Sequence, residues 1–280
     1  KIFTVAHALE LELVDPKTKI NTKGPIRMGG HKINDYRNNG PELPVWQVIT
    51  ESSNLGTARI AKMIGPEKQR EFLSSLGFTK PTSIEMIEAS GGKPLLPKRW
   101  NELETMTISY GHGLSATPLH LAMGYATLAN GGRLVKPTLL EEEKLGLGQQ
   151  IISKEVAKNS LAMLRGVVTE GTASLADVNG YFVAGKTGTA DKPSAQGGYD
   201  KEKNITSFAS IFPIHEPKYV LVVTLDEAQD TSGPEPKRTA GWTAVPVSAE
   251  IIARVAPLLG LRPKFDNKSS VGVTLSNWQE

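Results

Sequence analysis

The stretch Gly180–Ala190, GYFVAGKTGTA, constrains the fold of this chain more than any other. Tyr181-Phe182-Val183-Ala184 is a short apolar run with aromatic and β-branched residues, and it is expected to be a strand. It leads directly into Gly185-Lys186-Thr187-Gly188-Thr189. Glycine on both sides of Lys186-Thr187 clears the backbone for the close approach of another molecule. What remains at the surface is one cation, two hydroxyls and bare N–H groups. That combination can receive an anion or an oxyanion on a strand edge.

Three readings share these residues. Lys186-Thr187-Gly188 fits the Lys-Thr-Gly motif of penicillin-binding proteins and serine β-lactamases. Gly180-x-x-x-x-Gly185-Lys186-Thr187 also satisfies the phosphate-loop pattern, and Val220–Leu225 followed by Asp226-Glu227 reads like a strand ending in a magnesium-binding acid. The third reading is a solvated lysine at a glycine-containing strand end. A phosphate loop lies between a strand and a helix, whose N-terminus supports the phosphates. Here the intervening residues are strand formers, and Gly188-Thr189-Ala190-Asp191-Lys192-Pro193 cannot open a stable helix. The rest of the chain therefore has to decide.

With 280 residues the chain can bury a substantial core. Its net charge of +3 comes from 32 basic and 29 acidic residues interspersed, which argues against nucleic acid as a partner. Having no cysteine, it can hold no disulfide, thiolate nucleophile or cysteine metal site. His7, His31, His112, His120 and His215 show no metal-ligand spacing, so neither a metal nor a cofactor is expected. No stretch approaches the roughly 20 apolar residues of a membrane span. The chain begins at Lys1 in mid-pattern and reads as a piece of a longer protein.

Helices come first. They are expected over Lys1–Leu11, Val45–Ile49, Leu55–Ile64 and Pro66–Leu76 from apolar character and spacing, the last also from Pro66 at its first position and Gly77 after its end. Asp15–Pro44 reads as a long irregular excursion, and Thr79–Trp100 as a loop. Thr117-Pro118 opens a helix to Asn130 that is apolar nearly all round and is expected to be buried and central. Ser153 caps the next helix, which VVTEGTA (Val167–Ala173) closes. Ile205–Phe212 and Tyr219–Leu225 are expected as an antiparallel hairpin after a polar loop reaching Lys203, with a last helix over Pro246–Leu259. This order gives an α+β fold, with residues 1–260 as one domain and 261–280 as a tail.

Ser52-Ser53-Asn54 and Lys1 turn the choice among the readings. Together with Lys186-Thr187-Gly188, the segment Ser109–Gly132 and VVTEGTA, they make the chain resemble the transpeptidase domain of class B penicillin-binding proteins, most closely the division-specific type. The likeness runs over about residues 1 to 260. It implies the penicillin-binding protein/serine β-lactamase-like transpeptidase fold, an antiparallel sheet flanked by helices. The family's Ser-x-x-Lys would end at Lys1, which puts the nucleophile three positions before this chain. The strands that precede that serine in the family would be absent too, leaving an unpaired sheet edge and a risk of aggregation.

The resemblance also implies roles. Lys1 would be the general base, sharing a helix face with the upstream serine. The helix N-terminus and a nearby Lys186 would favour its neutral form. Ser52 would relay a proton toward the leaving nitrogen, with Lys186 holding its hydroxyl. Asn54, with Ser53 beside it, would meet the substrate amide. Thr187 and Thr189 would bind the terminal carboxylate of a D-Ala-D-Ala stem peptide or of a β-lactam, Gly188 would leave room for it along the strand, and the Thr189 N–H would serve the oxyanion hole. The parent would face the periplasm on the cytoplasmic membrane and work with cell-division proteins. Two other readings stay beside it, a non-catalytic penicillin- or peptidoglycan-binding sensor module and a nucleotide hydrolase.

Overall fold

The computed structural model describes residues 1–141, 148–194, 198–265 and 275–279. The chain divides into two compact units, Lys1–Met163 with Leu275–Glu280, and Leu164–Thr274.

The first unit is built around α1 (Ile2–Glu10), which buries Ile2, Thr4, Val5, Ala6, His7, Ala8 and Leu9 and so is covered on every side. Phe3 packs on Phe78 at 5.2 Å and edge-on to Tyr125 at 5.8 Å, and His7 stacks on Phe72 at 4.2 Å. The segment expected as an irregular excursion is ordered by four short strands. These are β1 (Lys19–Asn21), β2 (Ile26–Met28), β3 (His31–Ile33) and β4 (Glu42–Pro44), with β1 paired to β4 and β2 to β3. Strands of three residues are too short for alternation to stand out, and β1 and β3 bury one residue each, Ile20 and Ile33. Gly29-Gly30, both at positive φ, make the two-residue β2–β3 turn and were the available hairpin signal.

Then follow α2 (Val45–Thr50), α3 (Asn54–Ile64) and α4 (Pro66–Ser75), close to the expected positions. A further helix not expected from the sequence, α5 (Glu102–Ile108), has N-cap Asn101 accepting from the N–H of Leu103 at 2.8 Å. Ile33, Leu55, Ala58 and Met106 form a core cluster with Ile26, Met28 and Tyr110 against it, which ties β2 and β3 to α3 and α5.

The helix expected to be central, α6 (Pro118–Ala129), is capped by Thr117 but buries mainly one side. His120, Gly124, Tyr125, Thr127 and Leu128 are buried, while Leu119, Leu121 and Met123 remain partly exposed. Gly124 sets the close approach, since a Cβ there would sit 2.6 Å from the Phe3 ring. The central place belongs to α1 instead. Ser153 caps α7 (Lys154–Thr169), accepting from the N–H of Val156 at 3.2 Å, and the boundary between units falls within this helix.

The second unit is a three-stranded antiparallel sheet in the order β5 (Ala184–Pro193), β6 (Tyr199–Phe212), β7 (Tyr219–Asp226). It packs against α8 (Ala244–Leu258), with Phe208, Ile211, Ile252 and Ala256 fully buried. The expected α+β class holds in both units. The first strand starts at Ala184 rather than Tyr181 because Phe182 has φ +45°. The Val183 carbonyl also accepts from Arg165 Nη1 at 2.8 Å instead of from a neighbouring strand. Conversely, β5 and β6 extend into the residues expected as a polar loop, through a bulge between Asp191 and Lys192. Of the expected tail, Ser276–Gln279 form the short α9, while residues 266–274 and 280 lie outside the described residues.

Candidate active site

The residues singled out from the sequence fall into two groups, one in each unit. The first group sits where α2 ends and α3 begins. The N–H of Ser53 donates to the Val48 carbonyl at 2.9 Å and that of Ser52 to the Ile49 carbonyl at 3.2 Å. This is the hydrogen-bond pair of a Schellman ending. Ser52 occupies the left-handed position of that motif with φ +60°, where glycine is usual. A serine there carries a steric cost of about 1 kcal/mol, which points to a use for its side chain.

That side chain meets Lys1. Lys1 Nζ lies 2.9 Å from Ser52 Oγ and donates to the Ser52 carbonyl at 2.8 Å. Burial drives the Lys1 ammonium down from 10.5 to about 8, against the pull of the Asp35 carboxylate, which favours the charged form. The direction is the one expected from the helix N-terminus and a second lysine, but loss of hydration is the larger cause.

The neighbouring residues divide the work differently from expectation. Ser53, expected to touch substrate, has no exposed surface. It is the N-cap of α3, its Oγ accepting from the Gly56 N–H at 2.9 Å and donating to Asp35 Oδ2 at 2.7 Å. A fully buried hydroxyl with both roles filled cannot contact a ligand, so Ser53 belongs to the scaffold. Asn54 is the first residue of α3, and its Nδ2 donates to the Asn34 carbonyl at 3.0 Å, which fixes the amide plane. Asp35 itself was missed because it follows β3 in the segment read as irregular.

The second group lies on β5, in register with β6. Lys186 faces Ala209, Thr187 faces Phe208, Gly188 faces Ser207 and Thr189 faces Thr206. Exposure rises along the motif, from buried Lys186 through half-buried Thr187 to exposed Gly188 and Thr189. Lys186 Nζ donates to Thr187 Oγ1 at 3.2 Å, and Thr187 Oγ1 is 2.8 Å from the Thr172 hydroxyl. Thr172, in the VVTEGTA segment, thus joins the motif although no local sequence pattern assigns it a role. Thr189 Oγ1 accepts from the Ala240 N–H at 3.1 Å, which ties the strand to the 3-10 turn Ala240–Trp242.

The two glycines differ sharply. A Cβ at Gly185 would lie 2.6 Å from the Ala209 carbonyl and from the Phe208 ring, so the sheet itself requires this glycine. At Gly188 the nearest atoms would be 4.0 Å away, so packing does not explain it. The same geometry removes the phosphate-loop reading. Gly185-Lys186-Thr187 lies inside a strand that continues to Pro193, and the next element among the described residues is the strand β6. The acids of that reading are ion-paired with Lys192, Asp226 directly and Glu227 at 2.7 Å. Among the described residues no group of three or more His, Cys, Asp or Glu could hold a metal ion.

Comparisons with known proteins give one answer. Residues 1–252 match the family model for the penicillin binding protein transpeptidase domain. The chain is 32% identical over 277 residues to a probable peptidoglycan D,D-transpeptidase FtsI of Caulobacter vibrioides, covering 95% of this chain and 46% of that protein. It is 35% identical over 273 residues to the penicillin-binding protein PbpB of Mycolicibacterium smegmatis, covering 90% and 41%. It therefore spans a little under half the length of these relatives. Among solved structures, the transpeptidase domain of Burkholderia pseudomallei penicillin-binding protein 3 is similar with TM-score 0.85 and 33% identity, over 95% of this chain and 80% of that one. Penicillin-binding protein 3 of Mycobacterium tuberculosis in complex with aztreonam is similar with TM-score 0.79 and 26% identity, over 94% and 62%.

Proposed function

From a chain that belongs to the family of penicillin-binding protein transpeptidase domains, we propose a reading as part of a division-specific peptidoglycan D,D-transpeptidase. The parent protein crosslinks stem peptides through a serine acyl-enzyme during septal wall synthesis and is acylated by β-lactams. The observation that carries this reading is the 2.9 Å contact between Ser52 Oγ and Lys1, a lysine whose ammonium is brought down to about 8. An amine poised near neutrality beside a hydroxyl is what proton transfer to and from a serine requires.

In this reading Lys1 takes the proton from the hydroxyl of a serine three positions upstream, and that oxygen attacks the carbonyl carbon between the two D-alanines. The tetrahedral oxyanion is held by backbone N–H groups, that of Thr189 among them, a donor typically worth about 3 kcal/mol. As the C–N bond breaks, the proton held by Lys1 passes by way of Ser52 to the leaving nitrogen and D-Ala departs. The amine of a second stem peptide then attacks the ester carbonyl carbon; the C–O bond to the serine breaks, and the proton the amine gives up returns by way of Lys1 to the serine oxygen, restoring the hydroxyl. Thr187 and Thr189 receive the terminal carboxylate, Lys186 supplies positive charge, and exposed Gly188 leaves the strand open to an extended peptide. Every step is proton transfer and acyl exchange between side chains and substrate.

The relatives' names support the division-specific assignment. A periplasmic location on the cytoplasmic membrane and cell-division partners are part of the same proposal. Among the described residues no helix is long and apolar enough to cross a membrane. The test is a longer chain that begins upstream of Lys1, given a peptide ending in D-Ala-D-Ala and an acceptor amine. Release of D-Ala together with formation of the crosslinked product supports the reading. Peptide binding without D-Ala release leaves a sensor module and sinks it.

A further inference from the structure

We propose that Asp35 is a positioning residue of the acyl transfer, clamping the α2–α3 junction so that Ser52 and Asn54 are held in their working geometry. The inference rests on the function proposed above and adds a residue outside all three recognised motifs.

Asp35 binds the junction at two points with its two carboxylate oxygens. Oδ1 accepts from the Leu55 N–H at 2.9 Å, and Oδ2 accepts from Ser53 Oγ at 2.7 Å. Asn39 Nδ2 is a third donor to the carboxylate, reaching Oδ2 at 3.3 Å. The Ser53 and Leu55 partners flank Asn54, and Ser53 directly follows Ser52. The four leading N–H groups of α3 have no partner within the helix. Ser53 Oγ takes the one from Gly56 and Asp35 takes the one from Leu55, so cap and carboxylate together fix the helix start.

A firm clamp is needed here because Ser52 is held at φ +60°, a conformation a serine abandons readily when its surroundings loosen. The clamp is rigid in turn. Ile33, two residues before Asp35, is buried in the same cluster as Leu55 and Ala58 of α3. Asn34 between them accepts from the Asn54 side chain through its carbonyl. The strand that brings Asp35 to the junction is thus packed on the helix whose start Asp35 fixes. The carboxylate also faces Lys1 electrostatically and favours its charged form, so the same group bears on the proton acceptor.

The test uses the longer chain with its upstream serine and measures acylation by a penicillin, separating the dissociation constant of the first complex from the acylation rate constant. Asp35→Ala should lower the rate constant about 100-fold, the size of effect expected for small misplacement of a reacting group. It should change the dissociation constant less than about 3-fold. Asp35→Asn, whose amide oxygen can still accept one of the two bonds, should recover to within about 10-fold of the parent. It also serves as the second test should Asp35→Ala fail to fold, and a fall of about 3- to 10-fold in its rate constant then supports the clamp. Melting curves report the folded fraction of each variant. Acylation of folded Asp35→Ala, or of Asp35→Asn where only that folds, within about 3-fold of the parent would overturn the proposal, as would loss confined to the dissociation constant. If the unmutated longer chain is not acylated at all, it is the proposed function that fails.

Discussion

The two units hold their functional groups by opposite means. In the first, Ser52 and Asn54 sit at a junction between helices, held by side chains. Ser53 caps, Asp35 clamps, and Ser52 keeps a left-handed backbone. In the second, Lys186, Thr187, Gly188 and Thr189 sit inside a strand whose geometry is set by the ladder to β6. A backbone ladder is indifferent to most side-chain changes, whereas a junction built from caps depends on a few individual atoms. The mobile chemistry, proton transfer, is assigned to the first group, and the static task of receiving an oxyanion and a carboxylate to the strand.

The largest effects should come from removing the charged groups. In the longer chain Lys1→Ala should slow acylation about 10²–10⁴-fold, the usual range for a general base. The parent's rate should rise with pH through about 8 as Lys1 loses its proton. Lys186→Ala should cost about 10²–10³-fold, and since β6 holds the strand, its melting temperature should change little. Retained acylation in either variant, read by penicillin labelling, removes that residue's role.

Ser52→Gly separates strain from use. Glycine accepts φ +60° freely, so this variant should be more stable by about 1 kcal/mol while losing about 100-fold in acylation. Denaturant unfolding and a labelling rate measure the two sides, and a fall in stability would contradict the account of the junction.

The paired glycines make the same comparison on the strand. Gly185→Ala drives a Cβ to 2.6 Å from the Ala209 carbonyl and should destabilise by about 1–3 kcal/mol. Gly188→Ala meets nothing closer than 4.0 Å, and its stability should stay within about 0.5 kcal/mol while acylation slows. Equal melting temperatures for the two would break the distinction between a structural and a functional glycine.

The smallest effect at neutral pH lies in the core. His7 is buried and its proton affinity is pushed down to about 4, chiefly by burial and also by Lys68. The unfolded chain therefore binds more protons between about pH 6.5 and 4, so stability falls as pH is lowered through that window. The full contribution is about 3 kcal/mol. It should be absent in His7→Gln when unfolding free energies at pH 7 and pH 4 are compared.

What the sequence revealed follows from how each structure is made. Ser52-Ser53-Asn54 and Lys186-Thr187-Gly188 were legible because their chemistry needs fixed residue types at fixed spacing, whereas Lys1 was placed only by the resemblance; helices α1, α3, α4, α6 and α7 were legible because each carries a cap or an apolar stripe over several turns. What escaped were features made by partners distant in sequence. Asp35 acts on Ser53 and Leu55 from 18 and 20 positions away, and no local pattern marks it. The start of β5 was misplaced because Arg165 takes the Val183 carbonyl, an effect that strand propensity does not contain. Residues 15–44 escaped because four three-residue strands give no period to read.

The most direct test is the intact mass of a chain extended upstream of Lys1, before and after incubation with a penicillin. The account predicts a gain of one intact β-lactam, located on a peptide that carries the serine three positions before Lys1 and formed far more slowly in Lys1→Ala. No adduct, or an adduct on Ser52 or another residue of the 280, would contradict it.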